Sequence, residues 1–186
     1  MARRSRLVVG ATSLLFALLY VQPLWSIRLR APQYPEGLGL RVWVNRITGE
    51  KPQDLASINN LNHYIGMQRI EPDAIPELRY MPWFVAAVIL LGLVTALWGR
   101  RRMLFVWAGL LVAGAAAGLA DFWRWGYDYG HRLSADAIIK IPGMSYQPPL
   151  IGGKQLLNFH AASWPAAGGW LALALVGLAV AIALAE

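Results

Sequence analysis

Four uncharged apolar runs constrain this chain more than any other feature. They cover residues 7–27, 82–98, 103–120 and 169–185 of 186. A helix needs roughly 17–25 apolar residues to cross a hydrocarbon core of about 30 Å. Only 15% of the residues are charged, against about 25% in an ordinary soluble domain. The runs predict an all-α membrane protein with four transmembrane helices, its two long connecting loops folding outside the cytoplasm into a small mixed α/β cap. On this reading 1–27 is an N-terminal anchor span, 28–81 the first outer loop and 82–120 a helical hairpin. Residues 121–168 form the second outer loop and 169–186 the C-terminal span.

Charge placement sets the expected orientation. Arg3, Arg4 and Arg6 precede the first run, and Arg100, Arg101 and Arg102 fill the tight turn between the second and third. Short, basic, acid-free segments stay on the cytoplasmic side. The other eleven Lys and Arg residues fall in 28–81 and 121–168 beside nine of the ten acids, so those segments are nearly neutral. Both termini are therefore expected in the cytoplasm and both loops outside it. The net charge of +7 reflects membrane anchoring, which makes the lipid bilayer a partner and nucleic acid an excluded one. The first run is longer than a signal-peptide core and lacks a small-x-small cleavage site, so it reads as an uncleaved anchor. The absence of cysteine excludes disulfides and thiolate ligands.

Within the loops, "LGLRVWVNRITG" (38–49) alternates apolar and polar residues before a Thr-Gly turn, predicting a short strand. Residues 52–67 predict a helix, with Leu55, Ile58, Leu61 and Ile65 on one apolar face. "DFWRWGYDYGHRL" (121–133) has period two yet follows the third run directly, so strand and prolonged helix both fit. Residues 139–165 read as loop, punctuated by Pro-Gly, Pro-Pro and Gly-Gly. Trp25, Trp83, Trp98, Trp107, Trp164 and Trp170 lie near run ends and read as interfacial anchors. Gly114 and Gly118 form a small-xxx-small face for close helix packing.

The residues suited to chemistry are sided. All three histidines (His63, His131 and His160) lie in the outer loops, with Met67, Met81 and Met144. On a helical wheel Asn59, His63 and Met67 recur every fourth residue, away from the Leu55–Ile65 face. Imidazole and thioether together suit copper. His63 and Met67 would offer two donors, His131 or His160 a third and Met144 a further thioether, while Asp128 would orient His131 or bind metal itself. Each residue also has an architectural reading. His131 would close a polar network, His160 sit at the interface, Met144 fill a gap, and the asparagines of "INNLN" bond to nearby backbone. No nucleophile elbow, zinc-protease helix or phosphate loop is present, and the runs hold no histidine, lysine or carboxylate for a proton path. An enzyme is the weaker expectation.

At "YPEGLGLRVWVNRITG", "DLASINNLNHYIGM", "DFWRWGYDYGH" and "IKIPGMSYQPPLIGGKQLLNF" the chain resembles a family of small bacterial membrane proteins. That family is associated with nitrous-oxide-reductase accessory genes and the copper chaperone NosL, and overlaps proteins labelled NosB. The resemblance covers roughly 34–81 and 121–165, where Asn62, His63, Tyr64, Gly66 and Met67, then Asp128, Tyr129, Gly130 and His131, fit its strings. It implies a multi-pass protein of the bacterial inner membrane with periplasmic loops. It also implies extracytoplasmic copper handling or assembly of a copper-dependent enzyme, with copper as the cofactor. The alternative expectation is a scaffold subunit of a larger membrane complex that holds no metal of its own.

Overall fold

The computed structural model describes residues 1–156 and 158–186. In chain order the elements are α1 (Arg3–Leu15), β1 (Trp25–Ala31), β2 (Tyr34–Val42), β3 (Ile47–Gly49) and α2 (Asp54–Ile65). Then follow α3 (Glu77–Trp98), α4 (Arg101–His131), β4 (Gly152–Leu156), β5 (Phe159–Pro165) and α5 (Ala167–Ala185).

This architecture overturns the expectation of an all-α protein with four spans. Three helices, α3, α4 and α5, are long and apolar enough to cross a membrane, and five strands form one antiparallel sheet. The run 7–27 does not stay helical. α1 ends at Leu15, a 3-10 segment continues over Phe16–Tyr20, and β1 begins at Trp25. Pro23 accounts for the break: it lacks an N–H and disfavours helical geometry in the residue before it. The apolar residues beyond it serve a sheet, with Trp25 and Ile27 buried in the cap core. Apolarity alone does not separate a buried strand from a membrane-buried helix.

Each of the three long helices contains an apolar window of 18 residues, and no more than a third of each window is buried within the protein. Leu90, Leu97, Phe105, Val106 and Leu184 all face outward. A helix that is hydrophobic all round needs an apolar environment beyond its own fold, so these elements mark a membrane protein. α1 and α4 each pack against α3 and α5. The shared core holds Val9, Val88, Leu104, Leu175 and, fully buried at 0% exposure, Trp107. Trp107 donates its indole N–H to Val88 O at 3.0 Å. It is therefore a core residue rather than the interfacial anchor its position suggested, as is Trp25; Trp83, Trp98, Trp164 and Trp170 are exposed.

Gly99 takes a left-handed φ of 67° to end α3 and turn the chain into α4. Arg6 reaches this turn, donating to Ala96 O at 2.7 Å and to Leu97 O, and Arg101 lies 3.7 Å from Glu186. The arginines thus gather at one end of the bundle. The sheet lies at the other, because α1, α3, α4 and α5 all join the cap through their opposite termini.

The sheet runs β3-β2-β1-β5-β4. β1 pairs with β2 on one side (Ile27 opposite Leu40) and with β5 on the other (Ile27 opposite Ser163). Residues about 130 positions apart therefore share one sheet. The hairpin of β4 and β5 lies where residues 139–165 were expected to be loop. Its alternation is weak because β4 is mostly solvated, with Lys154 and Gln155 exposed. The segment 121–133 is helix, continuing α4 to His131. Its outer turns bring Phe122, Trp125 and Tyr129 onto the core of Trp25, Ile27, Leu40 and Ile58, with the Trp25 and Phe122 rings 5.1 Å apart. Each aliphatic side chain buried there contributes roughly 1.5–3 kcal/mol. Trp25 Nε1 donates to Ser163 Oγ at 2.8 Å, and Ser163 Oγ donates to Leu150 O at 3.0 Å, so the buried polar atoms between β1 and β5 are paired.

Candidate functional site

The polar run on α2 is largely structural. Asn59 donates to Ile70 O at 3.1 Å and accepts from Ile70 N at 2.8 Å. Asn62 donates to Gln68 O at 3.1 Å. Together they bind the returning strand of chain against the helix, where a bidentate side chain replaces lost sheet or helix partners. Gly66, with φ 78°, ends α2 in the left-handed conformation, which favours glycine. A Cβ there would also come within 2.8 Å of Ala137 Cβ.

That turn separates His63 from Met67. The helix stops at Ile65, so the expected i, i+4, i+8 face ends before its third member. His63 is exposed, while Met67 is half-buried and lines a cleft inside the cap. Backbone bonds do bring neighbouring segments together here. Ser134 N donates to Gly66 O at 2.8 Å, Ile139 N to Tyr64 O at 2.9 Å and Tyr146 N to Gly130 O at 2.9 Å. The segments bearing His63 and Met67, His131, and Met144 are therefore joined by main chain.

His131 stacks on Tyr127 at 4.0 Å and its Nδ1 lies 2.9 Å from Tyr127 O. With Nδ1–H donated to that carbonyl, Nε2 carries the free lone pair. Asp128 pairs with Arg132 at 3.2 Å, so its carboxylate engages its own helix. His160 lies on β5, opposite Arg30 of β1 and Gln155 of β4, and its ring stands over Gly153. Met144 is half-buried in the segment before β4. Among the described residues, no three His, Asp or Glu side chains gather as a metal site.

Two carboxylates organise the sheet edge. Asp54, 1% exposed, accepts from Gly39 N at 2.9 Å and Lys51 N at 3.1 Å through Oδ2, tying the start of α2 to β2. Glu50 accepts from Arg28 Nη2 and Arg41 Nη2, each at 2.8 Å. The Arg28 guanidinium, assisted by Arg41 and opposed by partial burial, holds the Glu50 carboxyl below its usual 4.5.

Among the described residues, a cleft of about 90 Å³ lies between the sheet, α2 and the outer end of α4. Ile27, Leu29 and Leu40 form its floor and Ile58 and Leu61 one wall; Trp125, Gly126, Tyr129 and Tyr146 face them. Tyr146 is 4% exposed, and its hydroxyl has no hydrogen-bond partner among the described residues. Sequence reasoning missed this cleft, although Gly126, a small residue set between Trp125 and Tyr127, was a signal. No protein-family model matches the chain, and comparison with curated proteins gives no match.

Proposed function

We propose that this chain is a membrane accessory protein that holds its sheet-and-helix cap outside the cytoplasm and presents it to a larger membrane assembly. The observation that carries this reading is polarity: six arginines flank the bundle end opposite the cap. Dense short basic segments remain cytoplasmic, which leaves the cap and both chain segments that build it on the outer side. Asp54, Asn59, Asn62 and Asp128 are spent on bonds inside the cap, which gives them a structural part in it.

The lack of native cysteine makes the test direct. Lys154→Cys on exposed β4 is expected to react with a membrane-impermeant maleimide in intact cells, and Arg101→Cys only after the cells are opened. The reverse pattern overturns the reading.

A second reading, copper handling for a copper-dependent enzyme, is favoured by one arrangement. The Gly66–Ser134 and Tyr64–Ile139 bonds bring the segment of His63 and Met67 beside that of His131, whose Nε2 is left free by the contact at Nδ1. His63, Met67 and His131 supply imidazole and thioether, donor types that suit copper, but Met67 turns into the cleft while His63 is exposed, so binding would need the α2 turn to rearrange. Asp128, committed to Arg132, and His160, over β4, are outside that set. Copper titration read by X-ray absorption tests it: nitrogen and sulfur scattering lost in His63→Ala/Met67→Ala supports the reading, and its absence in the unaltered protein refutes it.

A further inference from the structure

Two features of the cap interior point to a ligand rather than to packing alone. Gly126 is buried in the outer turns of α4, and nothing lies within 4 Å of where its Cβ would stand. Glycine inside a helix costs stability relative to alanine, and here its missing side chain leaves the cleft open instead of admitting a neighbour. The second feature is polar. The Tyr146 hydroxyl, on a residue that lines the cleft and is 4% exposed, is buried without a hydrogen-bond partner among the described residues. A buried polar group left unpaired is destabilising, and a phenol hydroxyl donates readily, so an acceptor placed in the cleft would satisfy it.

We infer that the cleft binds the apolar part of a membrane-dissolved molecule that carries a carbonyl oxygen, with Tyr146 donating to that oxygen. Apart from Asn62, whose amide is committed to Gln68 O, and the thioether of Met67, the lining is aliphatic and aromatic and holds no charged side chain, which excludes a charged ligand because no counter-charge faces it. About 90 Å³ is smaller than an engineered cavity of roughly 150 Å³ that takes benzene. The cleft therefore holds one end of a ligand whose remainder leaves through the mouth. A smaller recess shares Trp125, Gly126 and Pro148 with the cleft and reaches Phe122 and Trp123. Trp123 is half-exposed on the outer side of α4, so the ligand's path leads along a membrane helix. This chemistry is met by the ring of a quinone and by the ester of an acylglycerol. The inference concerns the cap interior and does not depend on the copper reading.

Calorimetric titration of the full-length protein in detergent, with decylubiquinone in one arm and monoolein in the other, tests it. Saturable one-to-one binding of either compound is expected, and the arm that binds identifies the source of the carbonyl. Gly126→Leu, which fills the cleft, is expected to weaken binding at least tenfold without lowering the thermal midpoint, since the helix interior loses a glycine. Tyr146→Phe keeps the shape and is expected to weaken binding about three- to tenfold, the worth of one hydrogen bond. Failure of both compounds to bind, or unchanged affinity in Gly126→Leu, overturns the proposal. Unchanged affinity in Tyr146→Phe overturns the role of the hydroxyl.

Discussion

Gly92→Ala tests the packing of the bundle at its tightest point. Gly92 is buried on α3, facing Ser13 of α1 and Trp107 of α4. An added Cβ would stand 2.8 Å from both Cε2 and Nε1 of Trp107, and closer still to Ser13 Oγ. Ordinary contacts at a Cβ begin near 3.4 Å, so both neighbours must give way. Trp107 has no room to do so: it is 0% exposed and its Nε1 is committed to Val88 O at 3.0 Å. Ser13 can rotate only by giving up its bond to Val9 O at 2.7 Å, worth about 0.5–1.5 kcal/mol. Overpacking of a filled core costs about 1–3 kcal/mol. Replacing a helical glycine with alanine returns at most about 1 kcal/mol. The expected net loss is about 1–3 kcal/mol. It is measured by thermal or denaturant unfolding in detergent micelles, followed by circular dichroism. Ser13→Ala in the Gly92→Ala background should recover part of that loss, because it removes the closest atom while leaving the Trp107 contact. A Gly92→Ala protein as stable as the parent would refute the packing of α1, α3 and α4 described here.

Asp54→Ala removes the acceptor of the buried Gly39 amide and of the part-buried Lys51 amide. An unpaired buried group costs about 1–3 kcal/mol, so the cap should lose about 1–3 kcal/mol, seen as faster hydrogen exchange at Gly39. Asn59→Ala breaks both bonds to Ile70 and should cost about 1–2 kcal/mol, with Ile70 N exchanging faster. The Glu50 carboxyl is held below its unfolded value, so its contribution is complete above pH 4.5 and fades as the pH falls through the lowered folded value. Arg28 is 62% exposed, so solvent screening limits this contribution to about 1 kcal/mol or less. Glu50→Gln should flatten the acid limb of the unfolding curve slightly, and high salt should mimic it. Without ligand, Tyr146→Phe should raise the unfolding midpoint, because it removes a buried hydroxyl that has no partner; a lowered midpoint would mean the hydroxyl is already paired.

Local pattern made the long apolar helices, the arginine turn and α2 legible. Residues 82–98, 103–120 and 169–185 are apolar all round, a pattern that only a lipid-facing helix sustains, and Leu55, Ile58, Leu61 and Ile65 repeat at helical spacing. Those features depend on neighbours within a few residues. Tertiary structure decided what local pattern could not. Trp25 and Ile27 read as the end of a span until the pairing of β1 with β5, about 130 residues away, showed them to be sheet core. The cleft likewise has no local signature, because Gly126, Tyr146 and Ile27 converge only when the two outer segments close on one another. Periodicity records which face of an element is buried. Only the partner across the interface decides whether lipid, a sheet or an open cleft covers it.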